Sequence, residues 1–476
     1  MSHWIRFALS LTGVAAALAA AGAGCNDVSL GGPATLVRVD PEPGGERCPE
    51  GGTAIHTGLD ADDDLYLDDG EIASTQYVCN GAPKVACAGG TVIPGPIAVR
   101  DVAGWSALDG VHCVDGDLLI AGVPGDLPAL PDLSIVTGDV VIAGNPGFSS
   151  LSGISHLRLV GGRLQVQGNE GLTHLTGLGA VERAEAIIVV GNDHLVDLAG
   201  LEQLVHFDSS LQISHNGALR SLAGLDHLIS AQTLIVSANA SLTSLDGLAA
   251  LEHVVVFEVG GNAALTSMAL GALQQVEVNL AITDNAALTS VLLPRVDSIG
   301  NAFRVRGNAA LQRISARALV SAGNLEVAAD NNLTEIDLPG LVYLTGPLQL
   351  AVLPRLTTVR LEDVTSIGEQ LLIEQVPSLT NLSGLSGVTI VGGDFIVRSN
   401  SGLVDFTGLG NLGLVSGSMT VSGNAALRSF VGLEGLSEVG GALSITNNPR
   451  LPTAVAQAFV DRLTVGSTVT VTGNNR

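Results

Sequence analysis

Aromatic residues make up only 3% of this 476-residue chain, and basic residues are scarce, 21 Lys and Arg against 46 Asp and Glu. The resulting net charge of −25 argues against nucleic-acid binding, for which a basic stripe is expected. It also disfavours attraction to an anionic membrane surface. The apolar stretch from Phe7 to Ala21 is too short to span a bilayer. The local signatures of catalysis are missing as well: no Gly-x-Ser-x-Gly elbow, no His-Glu-x-x-His and no Walker loop. With so few aromatics there are few platforms on which a sugar ring could stack.

What the chain has in abundance is repetition. From Gly116 onward one phrase returns about fourteen times: Asn-x-x-Leu-x-x-Leu-x-Gly-Leu, an apolar pair, then Gly-x-Leu-x-Ile/Val. The Asn falls at Asn145, Asn169, Asn192, Asn216, Asn239, Asn262, Asn285 and Asn308, in steps of 23 or 24 residues. A period in this range means a solenoid, in which each unit contacts only its neighbours and the core has no size limit. Leu172, Leu175, Leu178 and Val181 recur at every third position, which matches neither a helix face nor a strand. It fits short strands and bends winding round a narrow core. Leu164 and Val166 alternate as a short strand does, and Gly168-Asn169 then makes a corner, Gly through its tolerance of positive φ and Asn through local hydrogen bonds. In stacked coils the Asn side chain is expected to satisfy backbone groups of its neighbours. Fourteen coils at about 4.8 Å each predict a rod of about 65 Å.

The pattern departs from itself in the middle. Leu353-Pro354-Arg355-Leu356 and Val376-Pro377-Ser378-Leu379 keep the Leu and lose the Asn, which returns at Asn400, Asn424 and Asn448. A ligand site would sit in such departures, so the coils from 353 to 379 are the place to look. Elsewhere the repeats offer little chemistry. His206 and His253 share a repeat column but lie two coils apart, about 9–10 Å, too far for one metal. Asp197, Asp226, Asp246, Asp284 and Asp337 are thinly spread. Thr173, Thr243, Thr266, Thr289 and Thr334 share a column that Val196, Arg220 and Gln312 interrupt, so a regular Thr array is not formed. At the end, Thr453 to Leu463 has helical spacing with Thr453 as an N-cap, followed by a last strand from Thr468 to Thr472. A helix there would cover the open sheet edge that otherwise invites polymerisation.

The N-terminus reads as a targeting segment. A short basic start to Arg6 precedes the apolar stretch, and Gly22-Ala23-Gly24 supplies small residues before Cys25. This arrangement resembles a bacterial lipoprotein signal, which implies that Cys25 is lipidated and becomes the mature N-terminus. Five Cys are present, and lipid on Cys25 leaves Cys48, Cys79, Cys87 and Cys113. Four Cys allow three pairings; the most local is Cys48–Cys79 with Cys87–Cys113, one staple for each module. The expected organisation is a signal peptide over 1–24, the lipidated Cys and linker over 25–37, and a small module over 38–84. A cap over 85–115, repeats over 116–451 and a C-terminal cap over 452–476 complete it.

The small module carries the sharpest candidate site. With Asp60 as position 1, Asp62, Asp64, Tyr66, Asp68 and Glu71 fall at positions 3, 5, 7, 9 and 12, the ligand register of an EF-hand-type calcium loop. Leu65 stands at position 6, where such loops place Gly. Calcium is the expected cofactor, and a solvated acidic turn is the competing reading. The text around the loop, Cys48-Pro-Glu-Gly-Gly, Gly58-Leu-Asp60 and Tyr77-Val-Cys79-Asn-Gly81, resembles a small domain of unknown function found in secreted and surface bacterial proteins.

From Val85 the chain resembles the receptor L-domain family. It opens on Cys87-Ala-Gly, with a second Cys in His112-Cys113-Val-Asp-Gly-Asp-Leu-Leu-Ile120. The resemblance implies a mainly β fold, a right-handed parallel β-solenoid related to leucine-rich repeats. Ligand binding by that family does not transfer, because fold does not imply function. The function expected is non-catalytic: an outer-membrane, surface-exposed lipoprotein presenting a rigid surface for recognition or adhesion. Its partner would be a protein or glycan at the cell surface, with contact to the membrane through the lipid anchor only and none to nucleic acid. A structural envelope spacer and a polysaccharide-acting solenoid enzyme are the alternatives.

Isothermal titration of the chain with calcium is expected to give saturable heat that disappears when Asp62 and Asp64 are both changed to Asn. A solvated turn would give no heat even at millimolar calcium.

Overall fold

The alternation seen at Leu164 and Val166 builds the longest sheet of the protein. In the computed structural model, which describes residues 35–42, 52–59, 72–79 and 85–475, Leu164 and Val166 are fully buried and Gln167 faces out. The same pair of inward positions recurs one coil on. Val140 pairs with Leu164, Leu164 with Ile187 and Ile187 with Leu211, all in parallel. This ladder runs from Ile97–Val99 to Val469–Thr472. The protein is mainly β, with 35% strand and 6% helix, and forms a parallel β-solenoid of about 16 turns. The sequence count of about fourteen falls short because both caps are themselves coiled. Val92–Pro94 already pairs with Cys113–Asp115, and Val469–Thr472 with Leu443–Thr446.

Two further sides close each coil. A second parallel sheet precedes the corner into the long one, for example Leu159–Val160 on Ile135–Val136 and Ser366–Ile367 on Tyr343–Leu344. In the middle of the rod the two sheets run together in strands such as Gln275–Thr283 and Ser298–Arg306, with a register shift where the chain bends. The third side comes in two kinds. Where buried residues follow the spacing of Leu172, Leu175, Leu178 and Val181, the side is a chain of bends. Here Gly177, Gly200, Gly224 and Gly247 press on the coil before: a Cβ at any of them would stand 2.2 Å from a carbonyl oxygen of that coil. Where the spacing is that of Leu265, Met268, Leu270 and Leu273, the side is a strand. Ser267–Ala269, Ser290–Leu292, Arg313–Ser315, Glu335–Asp337 and Thr358–Arg360 form this five-stranded parallel sheet.

The Asn column is buried completely from Asn145 to Asn308 and again at Asn400, Asn424 and Asn448. Asn262 shows what each does. Its backbone N–H donates to Asn285 Oδ1 at 3.0 Å, and its Nδ2 donates to Val236 O at 2.8 Å and to Asn285 Oδ1 at 3.3 Å. Its own Oδ1 accepts from Asn239 N and Nδ2. Every polar atom of the side chain is therefore spent on the stack. The residue before each Asn holds positive φ, Gly at corners such as Gly168 and Gly191, and non-glycine at others, including His215 (57°), Ala238 (55°) and Asp284 (56°). A non-glycine residue in that region costs about 1–2 kcal/mol, so the corner bonds hold it there.

The ends close as the sequence suggests, with one difference. Cys87 and Cys113 are joined, with Cα atoms 5.7 Å apart. The C-terminal helix spans Thr453–Val460, and its N-cap is Pro452, which offers no side-chain bond. Thr453 is therefore the first helical residue; its Oγ1 donates instead to Asn475 O at 2.8 Å. Phe406, Phe430 and Phe459 stack through the last coils, and the Arg462 guanidinium lies over Phe459.

The described residues before Lys84 form a separate unit. Its strands β1 (Thr35–Glu42), β2 (Gly52–Leu59) and β3 (Ile72–Cys79) make an antiparallel sheet in sequence order. Because β1 starts at Thr35, residues 35–37 belong to the sheet and not to a linker. His56 joins the three strands, reaching Thr75 Oγ1 at 2.7 Å and Asp40 Oδ2 at 3.3 Å.

Changing Asn262 to Ala strands the donors of Asn239 and the carbonyl of Val236 in the core, and is expected to lower stability by roughly 3 kcal/mol. Urea denaturation checks this, and a loss under about 0.5 kcal/mol, the range of a surface substitution, would contradict the role given to the column.

Candidate recognition surface

With the inward positions committed to packing and the corners to the Asn ladder, the outward positions of the long sheet remain for contact. They vary from coil to coil: Gln165, Ile188, Gln212, Ile235, Glu258, Ala281, Arg304 and Glu326 follow one another in register. Charged members pair across coils. Arg304 Nε lies 2.7 Å from Glu326 Oε2, and Arg398 2.8 Å from Glu374. Such exposed pairs contribute little stability and leave the face mixed in polarity. The Thr column on another side is spent structurally. Thr243, Thr266, Thr289 and Thr334 each donate their hydroxyl to a carbonyl of the coil before.

The third side concentrates positive charge. Asp337 is fully buried beneath Arg313 and Arg317, at 2.7 and 2.8 Å from Oδ2, and Glu335 lies 3.5 Å from Arg313 and 3.9 Å from Arg360. Burial works to raise the Asp337 carboxyl, but hydrogen bonds and charge from Arg317 and Arg313 hold it below the usual carboxylate range. Beside this cluster the five-stranded sheet ends at Thr358–Arg360, and the next coil returns to bends at Ser383–Leu385. Between the two kinds of coil is a cavity of about 350 Å³. It overlaps the departures at 353–379 in part: Thr357 to Leu379 supply one share of the lining, and Leu350 with residues 381–385 supply the rest. The signal that could have located it is the change of spacing between Val359-Arg-Leu361 and Leu382-Ser-Gly-Leu385.

The other singular site is Asp330, which occupies an Asn position and is fully buried. Its Oδ1 accepts from Asn308 N at 2.7 Å and Nδ2 at 3.2 Å, and its Oδ2 has no partner. By the register of the column, Oδ2 stands where each Asn aims its NH2 at the strand carbonyl of the coil before. An oxygen there needs a proton. Burial pushes the carboxyl up from 3.8 to about 7, and repulsion from Asp284 adds to it, against the opposing bonds from Asn308.

The residues expected to carry chemistry fall mostly elsewhere. Cys87 and Cys113 are brought together. Cys25, Cys48 and the acidic loop with Asp60, Asp62, Asp64, Tyr66, Asp68 and Glu71 lie outside the described residues, and for Cys79 only the backbone, ending β3, is described. β2 and β3 bracket that loop, Gly58 pairing with Ile72, so its flanks are strands and not the helices of an EF-hand. His206 and His253 pair with Ser230 from opposite sides, two coils apart. Among the described residues no three of His, Cys, Asp or Glu gather into a metal-holding group, and no helix is long and apolar enough to cross a membrane.

Comparison with known proteins adds one finding. Residues 35–79 match the model of a family described as a domain of unknown function, DUF7151. No curated protein matches the chain.

Asp330 gives a pH dependence with a definite sign. Its folded value lies above its unfolded one, so the folded chain binds the extra proton, and stability falls as pH rises from about 3.8 to about 7. The loss is at most about 4 kcal/mol. Urea denaturation between pH 4 and 8 should show this slope in the wild type, a flatter profile in Asp330→Asn, and a more stable variant above pH 7; parallel profiles would refute a protonated Asp330.

Proposed function

We propose that this protein is a non-catalytic lipoprotein of the cell envelope that displays a stiff, variable sheet surface for recognition or adhesion. The observation that carries the reading is the division of labour within each coil. Inward residues pack, corner Asn and neighbouring Thr bind most of the stack, and the outward strand positions differ from coil to coil. A surface that varies on a repeated support is what a recognition scaffold needs, as in other solenoids with extended binding faces. The targeting segment before Cys25 supports export and anchoring through lipid. The receptor L-domain resemblance of the repeats is consistent with display outside the cell, and the ligand is a protein or a glycan. If calcium occupies the acidic loop, it stabilises the small module, which is too small to rely on its own core.

Protease treatment of intact cells, with a marker for membrane integrity, tests the placement. Loss of the solenoid signal from sealed cells is the expected result; full protection would put the rod in the periplasm and end the adhesion reading.

A further inference from the structure

The cavity between the two kinds of coil joins a patch of the apolar core to a polar opening. Its floor is apolar and belongs to the core itself: Leu350 and Ile373 from the long sheet, Leu382 from the following coil, and Val359. Val359 is only partly covered, whereas Met268, Val291, Ile314 and Ile336, its equivalents in the same sheet, are completely buried. The opening is thus particular to this junction. It arises because a flat strand cannot cover the bend stacked on it. At Gly384 the two coils touch, and a Cβ there would stand 1.8 Å from Val359 O. Away from Gly384 they diverge. About 350 Å³ falls within the range of about 300–1,000 Å³ typical of ligand pockets.

The rim is polar and carries both signs. Arg360, Glu362 and Asn381 are among its lining residues. Arg360 has only a distant ion pair, 3.9 Å to Glu335, which Arg313 also shares. Its guanidinium keeps donors for a carboxylate, which it would bind in bidentate fashion. Glu362 is exposed and has no ion pair among the described residues. The Asn381 Oδ1 accepts from Ser383 N at 3.1 Å, and its Nδ2 donates to Thr380 Oγ1 at 3.5 Å, so this side chain is held locally. The aromatic platforms suited to sugar rings are absent from this lining.

We propose that this cleft binds a small zwitterion with an apolar body, of the chemistry of an aliphatic α-amino acid. The carboxylate pairs with Arg360, the ammonium with Glu362, and the side chain enters the apolar floor. A purely anionic ligand would meet Glu362 unfavourably, and a purely cationic one would meet Arg360. This site is independent of the surface-display reading, since a chain protected inside the periplasm could still bind such a ligand, and a displayed one could fail to.

Isothermal titration of the chain with L-leucine, 4-methylpentanoate, isopentylamine and glycine tests it. Leucine is expected to bind at least tenfold more tightly than either singly charged analogue, and glycine to show no heat. Arg360→Gln and Glu362→Gln, both at exposed positions, should each weaken leucine at least tenfold while the circular dichroism spectrum is unchanged. Val359→Phe, which fills the floor, should abolish binding. No heat with any of the four compounds, affinity of the carboxylate or the amine equal to that of leucine, or leucine binding unaltered in all three variants would each overturn the proposal.

Discussion

The buried amide stack is the interaction on which the solenoid depends. A coil that turns back on itself leaves backbone N–H and C=O groups at its corner with no sheet partner, and water cannot reach them. An Asn at that point supplies one acceptor and two donors on a short, stiff side chain. Asn169, for example, receives the backbone N–H of Asn145 and its Nδ2, and returns hydrogen bonds to Ile142 O and to Asn192 Oδ1. Each rung is thereby satisfied only by its neighbours, which couples adjacent coils more tightly than apolar packing alone would. The strained corners follow from this coupling. Positive φ at Ala238 or Asp284 is unfavourable locally, yet any relaxed alternative would break the bonds on both sides.

The ladder also explains how its own end is made. An amide needs two acceptors for its NH2, one in the coil before and one in the coil after. The coil after Asp330 has Leu353 at the corner, which offers no Oδ1. A protonated carboxyl carries a single O–H, directed at the coil before, and asks nothing of the coil after. Asp330 is thus matched to a terminal rung in a way that Asn is not, provided it keeps its proton. Beyond it the corners at Leu353 and Val376 are filled by apolar side chains, until Asn400 restarts the column by accepting from Val376 N.

Much of this is legible in the residues themselves. The period, the inward pairs such as Leu164 and Val166, the Asn corners, the altered corners at 353 and 376 and the C-terminal helix all follow from residue type and spacing. What escaped depends either on contact between coils or on a one-residue change of spacing that the consensus absorbs. Met268-Ala-Leu270 and Leu245-Asp-Gly-Leu248 differ by one residue in spacing, and the consensus absorbs both, yet one makes a strand and the other a bend. The non-glycine corners are invisible because propensity argues against them. The perturbed carboxyl at Asp330 looks like a conservative replacement for Asn until its unpartnered oxygen is seen. Thr453 reads as an N-cap by type, but the following coil claims its hydroxyl.

A solenoid confines the consequences of change, because each coil answers only to its neighbours. The stretch from Asp330 to Asn400 shows how far that licence extends. Within it the amide column stops, the third side passes from strand to bend, Asp337 and Glu335 draw in Arg360 together with Arg313 and Arg317 of the coil before, and a cavity opens onto the core. None of these needs the others for the rod to continue, since the inward columns through Leu350, Ile373 and Val397 stay buried and in register. The cavity itself follows from the passage of the third side from strand to bend, since the strand Thr358–Arg360 and the bend Ser383–Leu385 both line it. The core columns carry the fold across this region, so the third side can change from strand to bend without interrupting the solenoid.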